Sequence, residues 1–205
     1  MKTKIIKIDP DKPDKSKIKE CAKTLKGGGL VAFPTETVYG LGAIHNNKEA
    51  VEKIYSVKRR PTEKPLTIHI SNIKSIDKFN CEIPHLVKTL IDKFWPGPLT
   101  IILNTKDKAK KIAFRMPDSK IAKALIEYSG EELVAPSANI SGNKPPVDAE
   151  DVIEELNEKI DIIINAGPTR LAEESTVIDA TAFPYRVLRE GAISKTKIQD
   201  AWQHE

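Results

Sequence analysis

Residues 27–42 read GGGLVAFPTETVYGLG, an apolar run that follows three glycines and ends in a polar turn. The run at residues 30–33 is too short for a helix and Pro34 stops it, so the pattern predicts a buried β-strand. The turn offers three hydroxyls and a carboxylate, and Gly40 and Gly42 let backbone amides approach a ligand. The stretch therefore predicts a strand that ends in a loop suited to a small polar or anionic ligand. The same pattern also occurs in folds where the loop binds nothing, and the stretch alone leaves both interpretations open.

The common nucleotide-binding fingerprints are missing from the sequence. No GxxxxGK followed by Ser or Thr occurs, and the glycines at residues 40–42 lack the third glycine of the dinucleotide motif. If this loop contributes to a phosphate site, residues outside such glycine-rich motifs must bind the phosphate.

Length and composition predict one globular domain over residues 1–205. The chain is 40% hydrophobic and 30% charged, and no long Gly/Ser-rich or Pro-rich linker divides it. No window approaches the roughly 18 continuous apolar residues of a membrane span, which argues against a membrane protein. The charged N-terminus lacks the apolar core of a signal peptide, so we expect a cytoplasmic location. The two cysteines, Cys21 and Cys81, form no redox or metal motif.

The distribution of charge is more informative than its total. The net charge is +4, from 33 basic and 29 acidic residues, which is too small to indicate a nucleic-acid binder. Basic residues crowd residues 58–64 and 106–123, whereas residues 127–174 are rich in acids. This layout is typical of a protein with one electropositive face or cavity, although most surface lysines are simply solvated.

Apolar periodicity predicts about seven strands interleaved with about five helices, which is an α/β sheet layered by helices. Several connections are too short for a helical crossover, so we expect strands of mixed direction. Residues 66–70 alternate cleanly and place His69 on the face opposite the core, which makes it either a ligand group or a half-exposed sheet histidine. The tail at residues 194–205 has a helical pattern.

Polar and basic features recur where the predicted strands end. They lie at residues 35–42, 58–64 and 137–142, and at Ser175 and Thr176 with Arg189. Because ligands of open α/β sheets collect at such strand ends, we expect these four features to form one site.

Six motifs in this order resemble the YrdC-like family. They are residues 34–42 (PTETVYGLG), 58–66 (KxRPxxxPL), 96–100 (PGPLT), 115–117 (RxP), 137–142 (SANxSG) and 175–179 (STVID). The resemblance covers about residues 15–193. It implies a YrdC-like fold, a twisted, open, mixed and mainly parallel α/β sheet layered by helices around a large basic cavity. The longer branch of the family has an extra C-terminal domain, so a chain that ends at Glu205 resembles the short form or an excised catalytic domain.

The resemblance also implies an activity, in which L-threonine, bicarbonate and ATP give threonylcarbamoyl-adenylate and pyrophosphate for threonylcarbamoyladenosine in tRNA. The implied partners are a downstream threonylcarbamoyl transferase and, through the basic cavity, tRNA or double-stranded RNA. Mg²⁺ is expected with ATP, but no carboxylate cluster with metal-ligand spacing identifies its ligands.

The implied site residues fall into three groups, carried over from the matching motifs. The catalytic group is Lys58, Arg60, Ser137 and Asn139. The threonine site is Thr35, Thr37, His69, Arg115, Ala135 and Ser175. The nucleotide site is Arg60, Lys64, Lys111, Ser137, Pro145 and Arg189. No metal-binding residue is predicted.

Two alternatives stay open. A basic concave surface would also suit a double-stranded RNA-binding or ribosome-associated module. An aromatic content of 5% without an RNP-like cluster argues against base stacking on single strands. Family domains that act on carbamoyl phosphate in hydrogenase maturation normally lie in longer chains with zinc-finger-like cysteines, which two isolated cysteines do not supply.

Overall fold

The computed structural model describes residues 2–203, so the last two residues of the predicted helical tail lie outside it. Within this range there are ten strands: β1 Lys4–Lys7, β2 Val31–Pro34, β3 Tyr39–Ile44, β4 Ile68–His69, β5 Leu99–Asn104, β6 Lys111–Arg115, β7 Leu133–Val134, β8 Ile162–Asn165, β9 Thr176–Asp179 and β10 Arg186–Arg189. The α-helices are α1 Lys15–Lys26, α2 Lys48–Lys58, α3 His85–Phe94, α4 Lys120–Ser129, α5 Ala149–Leu156 and α6 Lys195–Gln203, with a 3₁₀ helix at Ile73–Phe79. None of the helices in residues 2–203 is long and apolar enough to cross a membrane.

The strands form one mixed sheet in the order β1-β8-β2-β3-β7-β4-β6-β5-β9-β10. The mixed α/β sheet expected from the sequence is confirmed, but the expected excess of parallel pairs is wrong. Among the described strands, four neighbouring pairs are parallel and five are antiparallel. The reason is the short turns, such as residues 35–38 between β2 and β3, because a parallel connection needs a crossover of a dozen or more residues.

Helices cover both faces of this sheet, and a hydrophobic cluster lies under each layer. Helices α1 and α4 bury their apolar sides in one cluster with Phe33 and Leu133, while α2, α3, α5 and α6 pack on the other. Polar side chains cap three of these helices. Asp14, Ser119 and Asp148 each accept a hydrogen bond from a backbone N–H in the first turn of the helix that follows.

Candidate active site

A cavity opens where the predicted polar features meet. Its volume is about 130 Å³, which is smaller than the roughly 300–1,000 Å³ of typical ligand pockets. Three arginine side chains and several hydroxyls face it. The predicted site residues that line it are Thr35, Arg60, His69, Arg115, Ala135, Ser137, Ser175 and Arg189.

Backbone hydrogen bonds join two loops that the sequence separates by about a hundred residues. Gly40 and Ser137 form an isolated antiparallel bridge. On either side of it, the Leu41 N–H donates to the Pro136 carbonyl and the Ala138 N–H donates to the Tyr39 carbonyl, each at 2.8 Å. The loop at residues 35–42 therefore forms one wall of the cavity together with residues 136–138.

Lys58 does not line the cavity but lies behind this wall, with an exposed fraction of 1%. Its Nζ donates to the carbonyl oxygens of Ser137 and Asn139, both at 2.5 Å, and lies 3.4 Å from Asn139 Oδ1. In the other direction, the Lys58 carbonyl accepts a hydrogen bond from the Ser141 N–H. Lys58 thus holds the loop at residues 137–141 in place.

The side chains of that loop are also fixed. Ser137 Oγ donates to Asn139 Oδ1 at 2.6 Å, and Asn139 Nδ2 donates to the Asn143 carbonyl at 2.8 Å. Asn139 is buried, whereas Ser137 lines the cavity. Of the four predicted catalytic side chains, Ser137 and Arg60 face the cavity, and Lys58 and Asn139 support its wall.

Burial, and then the positive charge of Arg60, lower the pKa of Lys58 to about 8. Below pH 8 the amine is protonated in both the folded and the unfolded chain. The folded protein then carries the full free-energy cost of burying this charge. Between pH 8 and the ordinary value of 10.5 only the unfolded chain holds the proton. We therefore expect the unfolding free energy of the wild type to rise, relative to Lys58→Met, by up to about 3 kcal/mol across this window. Chemical denaturation of both proteins at several pH values measures it, and a constant difference would contradict it.

A buried chain of hydrogen bonds leads from Arg115 to the end of β2. Arg115 Nη2 donates to Thr37 Oγ1 at 2.8 Å, and Thr35 Oγ1 donates to the Val38 carbonyl at 2.7 Å. The two threonine Oγ1 atoms are 2.8 Å apart. Because the Thr35 hydroxyl proton is already used, Thr37 must be the donor in this pair. Thr37 is completely buried and does not line the cavity. Its hydroxyl instead orients both Thr35 and Arg115.

Glu36 is the counter-ion of Arg115. Its Oε1 lies 2.8 Å from Arg115 Nη2, and both side chains are almost fully buried. Neither carboxylate oxygen of Glu36 makes a hydrogen bond within the described structure, and the Nε of Arg115 has no partner there, so the contact is an ion pair without hydrogen-bond geometry. One edge of the guanidinium is thus held by Glu36 and Thr37 while the residue lines the cavity.

His69 also lines the cavity and is buried, not half-exposed as a sheet-surface histidine would be. Burial, and then the nearby Arg115 charge, hold its pKa well below the usual value, so the imidazole is neutral at neutral pH. Its Nδ1 has no hydrogen-bond partner within the described structure. A neutral ring with a free nitrogen is able to exchange a hydrogen bond with a polar ligand.

Arg189 also lines the cavity and is bound to Glu174, which is the one acidic residue of the lining within the described chain. Arg189 Nη1 donates to Glu174 Oε1 at 2.5 Å, and Nε and Nη2 donate to the Ser175 carbonyl at 3.1 and 2.8 Å. Ser175 Oγ lies 2.9 Å from Thr100 Oγ1. Most of the hydrogen bonds that the Arg189 guanidinium is able to donate therefore go to Glu174 and Ser175.

The other predicted nucleotide residues occupy different places. Arg60 lines the cavity and donates from Nε and Nη2 to the carbonyls of Lys64 and Pro65, while the Lys64 side chain is exposed beside it. Pro145 is half-buried and does not line the cavity. The structure does not bring Lys111 to the site. It lies at the other end of β6 from Arg115, about 13 Å along the strand, and pairs with Asp179.

Sequence reasoning missed several residues of the site. Glu36 was visible as an acid beside a basic motif, but nothing local pairs it with Arg115. Glu174 lies in residues 165–174, which contain none of the six motifs. Thr67 and Thr100 also line the cavity, and Thr100 is the hydrogen-bond partner of Ser175. The strand alternation placed Thr67 on the face of His69, and Thr100 lies in the motif at residues 96–100, but neither residue was assigned a role.

The wall that carries Glu174 and Ser175 rests against Gly191. A Cβ at position 191 would lie 2.2 Å from the Glu174 carbonyl oxygen and 2.8 Å from the Ser175 carbonyl carbon. We expect Gly191→Ala to lower the unfolding free energy by about 1–3 kcal/mol, because the backbone cannot make room without moving. Gly27→Ala is the control, since its Cβ would meet atoms no closer than 3.5 Å. Equal denaturation midpoints for the two variants would contradict the expected crowding.

Comparisons with known proteins agree with this architecture. A protein-family model named Sua5/YciO/YrdC, with the description telomere recombination, matches residues 23–191. The chain is similar to the threonylcarbamoyl-AMP synthases of Bacillus subtilis and Pyrococcus abyssi, each 43% identical over 191 residues. These alignments cover 89% of this chain but 55% and 56% of the relatives, so the chain spans little more than half the length of these curated relatives. The crystal structure of P. abyssi Sua5 complexed with L-threonine is similar with a TM-score of 0.92 at 41% identity, over 97% of this chain and 61% of that one.

Proposed function

The chain belongs to the Sua5/YciO/YrdC family, and on that premise we propose that it catalyses the synthesis of threonylcarbamoyl-AMP from L-threonine, bicarbonate and ATP. The observation that carries the proposal is the cavity, where Arg60, Arg115 and Arg189 converge with hydroxyl side chains around a small enclosed volume. Two of the three substrates are anions and threonine carries a carboxylate. A cavity of this charge and size fits the amino acid, with the nucleotide extending from its mouth.

The reaction needs two bonds to form. The neutral amine of threonine attacks the carbon of bicarbonate, or of carbon dioxide derived from it, and gives a carbamate with loss of water. A carbamate oxygen then attacks the α-phosphorus of ATP, and the bond to pyrophosphate breaks. Negative charge accumulates on the phosphate oxygens in the second step, so fixed cations in a dry site lower its barrier.

Arg115 is the proposed receptor of the threonine carboxylate. Its guanidinium is rigidly oriented by Glu36 and Thr37, which lowers the entropy lost when a ligand carboxylate binds. The hydroxyls of Thr35 and Ser175 and the neutral His69 lie in the same lining and would recognise the amine and side-chain hydroxyl. Ala135 provides a small apolar surface for the threonine methyl group.

Arg60, Ser137 and Arg189 are the proposed contacts of the nucleotide. Arg60 and Arg189 would bind phosphate oxygens, and Ser137 would orient the carbamate and the α-phosphate. Lys58 and Asn139 act as positioning residues, because their polar atoms hold the loop that carries Ser137. We also propose Lys64 and Pro145 as contacts of the nucleotide outside the cavity lining.

Mg²⁺ enters this scheme as part of the MgATP substrate. Among the described residues, Glu174 is the one carboxylate in the lining, and it is bound to Arg189. This donor set does not fit a metal held by the protein, whereas Mg²⁺ commonly keeps several waters and binds substrate phosphates directly.

The Glu174–Arg189 pair yields a prediction for nucleotide affinity. ATP phosphates must compete with Glu174 for the Arg189 guanidinium, so Glu174→Gln is expected to lower the Kd for ATP by about 2–5-fold, the range of a partly exposed ion pair. Isothermal titration with ATP measures this change. Glu173→Gln, an exposed neighbour, is the matched control and is expected to bind ATP like the wild type. Weaker binding by the Glu174→Gln protein would show instead that the carboxylate helps to hold the substrate.

Omission of substrates one at a time tests the proposed function. The protein with ATP, threonine and bicarbonate is expected to release pyrophosphate, and the release is expected to stop when threonine or bicarbonate is left out. Pyrophosphate release that continues without threonine would overturn the proposal.

The wider biological setting stays a prediction. We infer that the adenylate serves threonylcarbamoyladenosine formation in tRNA, through a downstream threonylcarbamoyl transferase, in the cytoplasm. Direct contact with tRNA or double-stranded RNA is also a prediction. The enclosed volume is far too small to admit an RNA duplex, so such contact would use the outer surface.

A further inference from the structure

A second group of ligand-type side chains lies away from the cavity, where β3 ends and β7 begins. His45 follows β3 directly, and Glu131 and Glu132 precede β7. One ring nitrogen of His45 and one carboxylate oxygen from each glutamate lie within 4.8 Å of one another. This group is at the opposite end of β3 from Tyr39, about 17 Å along the strand, and is therefore separate from the proposed chemistry.

The backbone fixes His45 against Glu132. The neighbouring residues Ile44 and Leu133 form an antiparallel pair, and the His45 N–H donates to the Glu132 carbonyl at 3.1 Å. The ring packs on Phe79 at 5.0 Å between centroids, and its Nδ1 lies 3.2 Å from the same carbonyl. In the tautomer that donates Nδ1–H to this carbonyl, Nε2 keeps its lone pair. Metal-binding histidines commonly use this arrangement.

The side chain of Glu132 provides an independent observation that points to a ligand. Its side chain is 3% exposed, and Oε1 lies 2.9 Å from the Nζ of Lys78. The other oxygen, Oε2, is buried and has no hydrogen-bond partner within the described structure. A buried carboxylate oxygen without a partner costs free energy, and a bound water or ion is the usual explanation.

We propose that His45, Glu131 and Glu132 bind one divalent transition-metal ion. An imidazole with two carboxylates is a donor set that suits Zn²⁺, Co²⁺ or Mn²⁺, whereas Mg²⁺ and Ca²⁺ prefer oxygen ligands alone. The ion joins the turn after β3 to the turn before β7, and solvent and a small shift of Glu131 complete its coordination. Lys78, whose side chain is 58% exposed, is free to move towards water when the ion binds. This site stabilises the fold and takes no part in the proposed synthesis.

Metal titration of the chelator-treated protein tests the site. We expect Zn²⁺ to bind with one-to-one stoichiometry in isothermal titration and to raise the thermal midpoint, and Co²⁺ to give a visible d–d absorption band. His45→Ala and Glu131→Gln are expected to weaken binding by at least about tenfold. Glu127→Gln, which removes an exposed carboxylate of the preceding helix, is the control and is expected to bind like the wild type.

The two single variants keep the test decisive. Glu131→Gln leaves both the Lys78–Glu132 pair and the His45 ring in place, so it answers the question even if His45→Ala folds poorly. Absence of one-to-one binding by the wild type would mean that Oε2 is hydrated by water only and would overturn the proposal. Equal affinity in the wild type and the Glu131→Gln protein would also overturn it. Pyrophosphate release by the wild type is expected to be the same with and without the added ion, so either proposal can fail separately.

Discussion

Replacing Lys58 by Met is expected to lower the turnover number by about 10²–10³-fold while the protein still folds. Methionine fills a similar volume but donates no hydrogen bond, so the carbonyls of Ser137 and Asn139 lose the ammonium that holds them. The loop then shifts, and Ser137 leaves the position from which it orients the reacting groups. A displacement of about 1 Å, or the loss of one preorganised donor, costs a factor of this size.

Lys53→Met is the matched control for this effect. Lys53 belongs to the same helix, but its Nζ donates to the Gly28 carbonyl, away from the cavity. We expect this variant to turn over at the wild-type rate. Steady-state rates of pyrophosphate release, with circular dichroism to verify folding, compare the three proteins. Near-wild-type turnover of the Lys58→Met protein would remove Lys58 from the catalytic apparatus altogether.

Replacing Arg115 by Met is expected to have two large effects with different causes. The kcat/KM for threonine falls by about 10²–10³-fold, because the proposed receptor of the carboxylate is lost. The unfolding free energy falls by about 3–5 kcal/mol, because Glu36 is left as a buried carboxylate without a counter-ion. Kinetics and chemical denaturation measure the two effects on the same protein.

The double variant with Glu36→Gln and Arg115→Met separates these causes. It removes both charges of the buried pair, so we expect most of the lost stability to return while threonine turnover stays low. Recovery of threonine turnover in the double variant would show that Arg115 does not bind the carboxylate. An unchanged stability deficit would show that the charge of Glu36 is not the source of the destabilisation.

Short-range sequence patterns predicted those strand and helix ends that depend on neighbouring residues. The opening strand lies one residue from its predicted position, at Val31–Pro34, because glycines and a proline bound it. Arg60 lies just beyond the end of α2, because a proline at position 61 disfavours helical geometry at the residue before it, and Arg59 forms the left-handed cap. The polar features at the strand ends meet at one cavity, because the sheet brings those ends together. The role of each residue there rests on the proposal.

What the sequence could not predict depends on contacts between distant segments. A lysine at a helix end usually reaches solvent. Lys58 instead binds the carbonyls of Ser137 and Asn139, and this contact depends on how the distant loop at residues 137–141 packs. The strand pattern around Arg115 does not say which strand end faces the cavity, and the structure places Lys111 at the other end of β6 from Arg115. Glu174 lies in a loop without periodicity, and its carboxylate becomes part of the site through Arg189 alone. Buried ion pairs such as Glu36 with Arg115 likewise cannot be recognised from the local sequence.

Product analysis with isotope-labelled bicarbonate tests the central claim most directly. The protein is incubated with ATP, L-threonine and the labelled bicarbonate, and the nucleotide products are identified by mass spectrometry. We predict threonylcarbamoyl-AMP that carries the label, formed in equal amount with pyrophosphate and absent when threonine is omitted. Formation of AMP and pyrophosphate without a labelled adenylate of threonine would contradict the account.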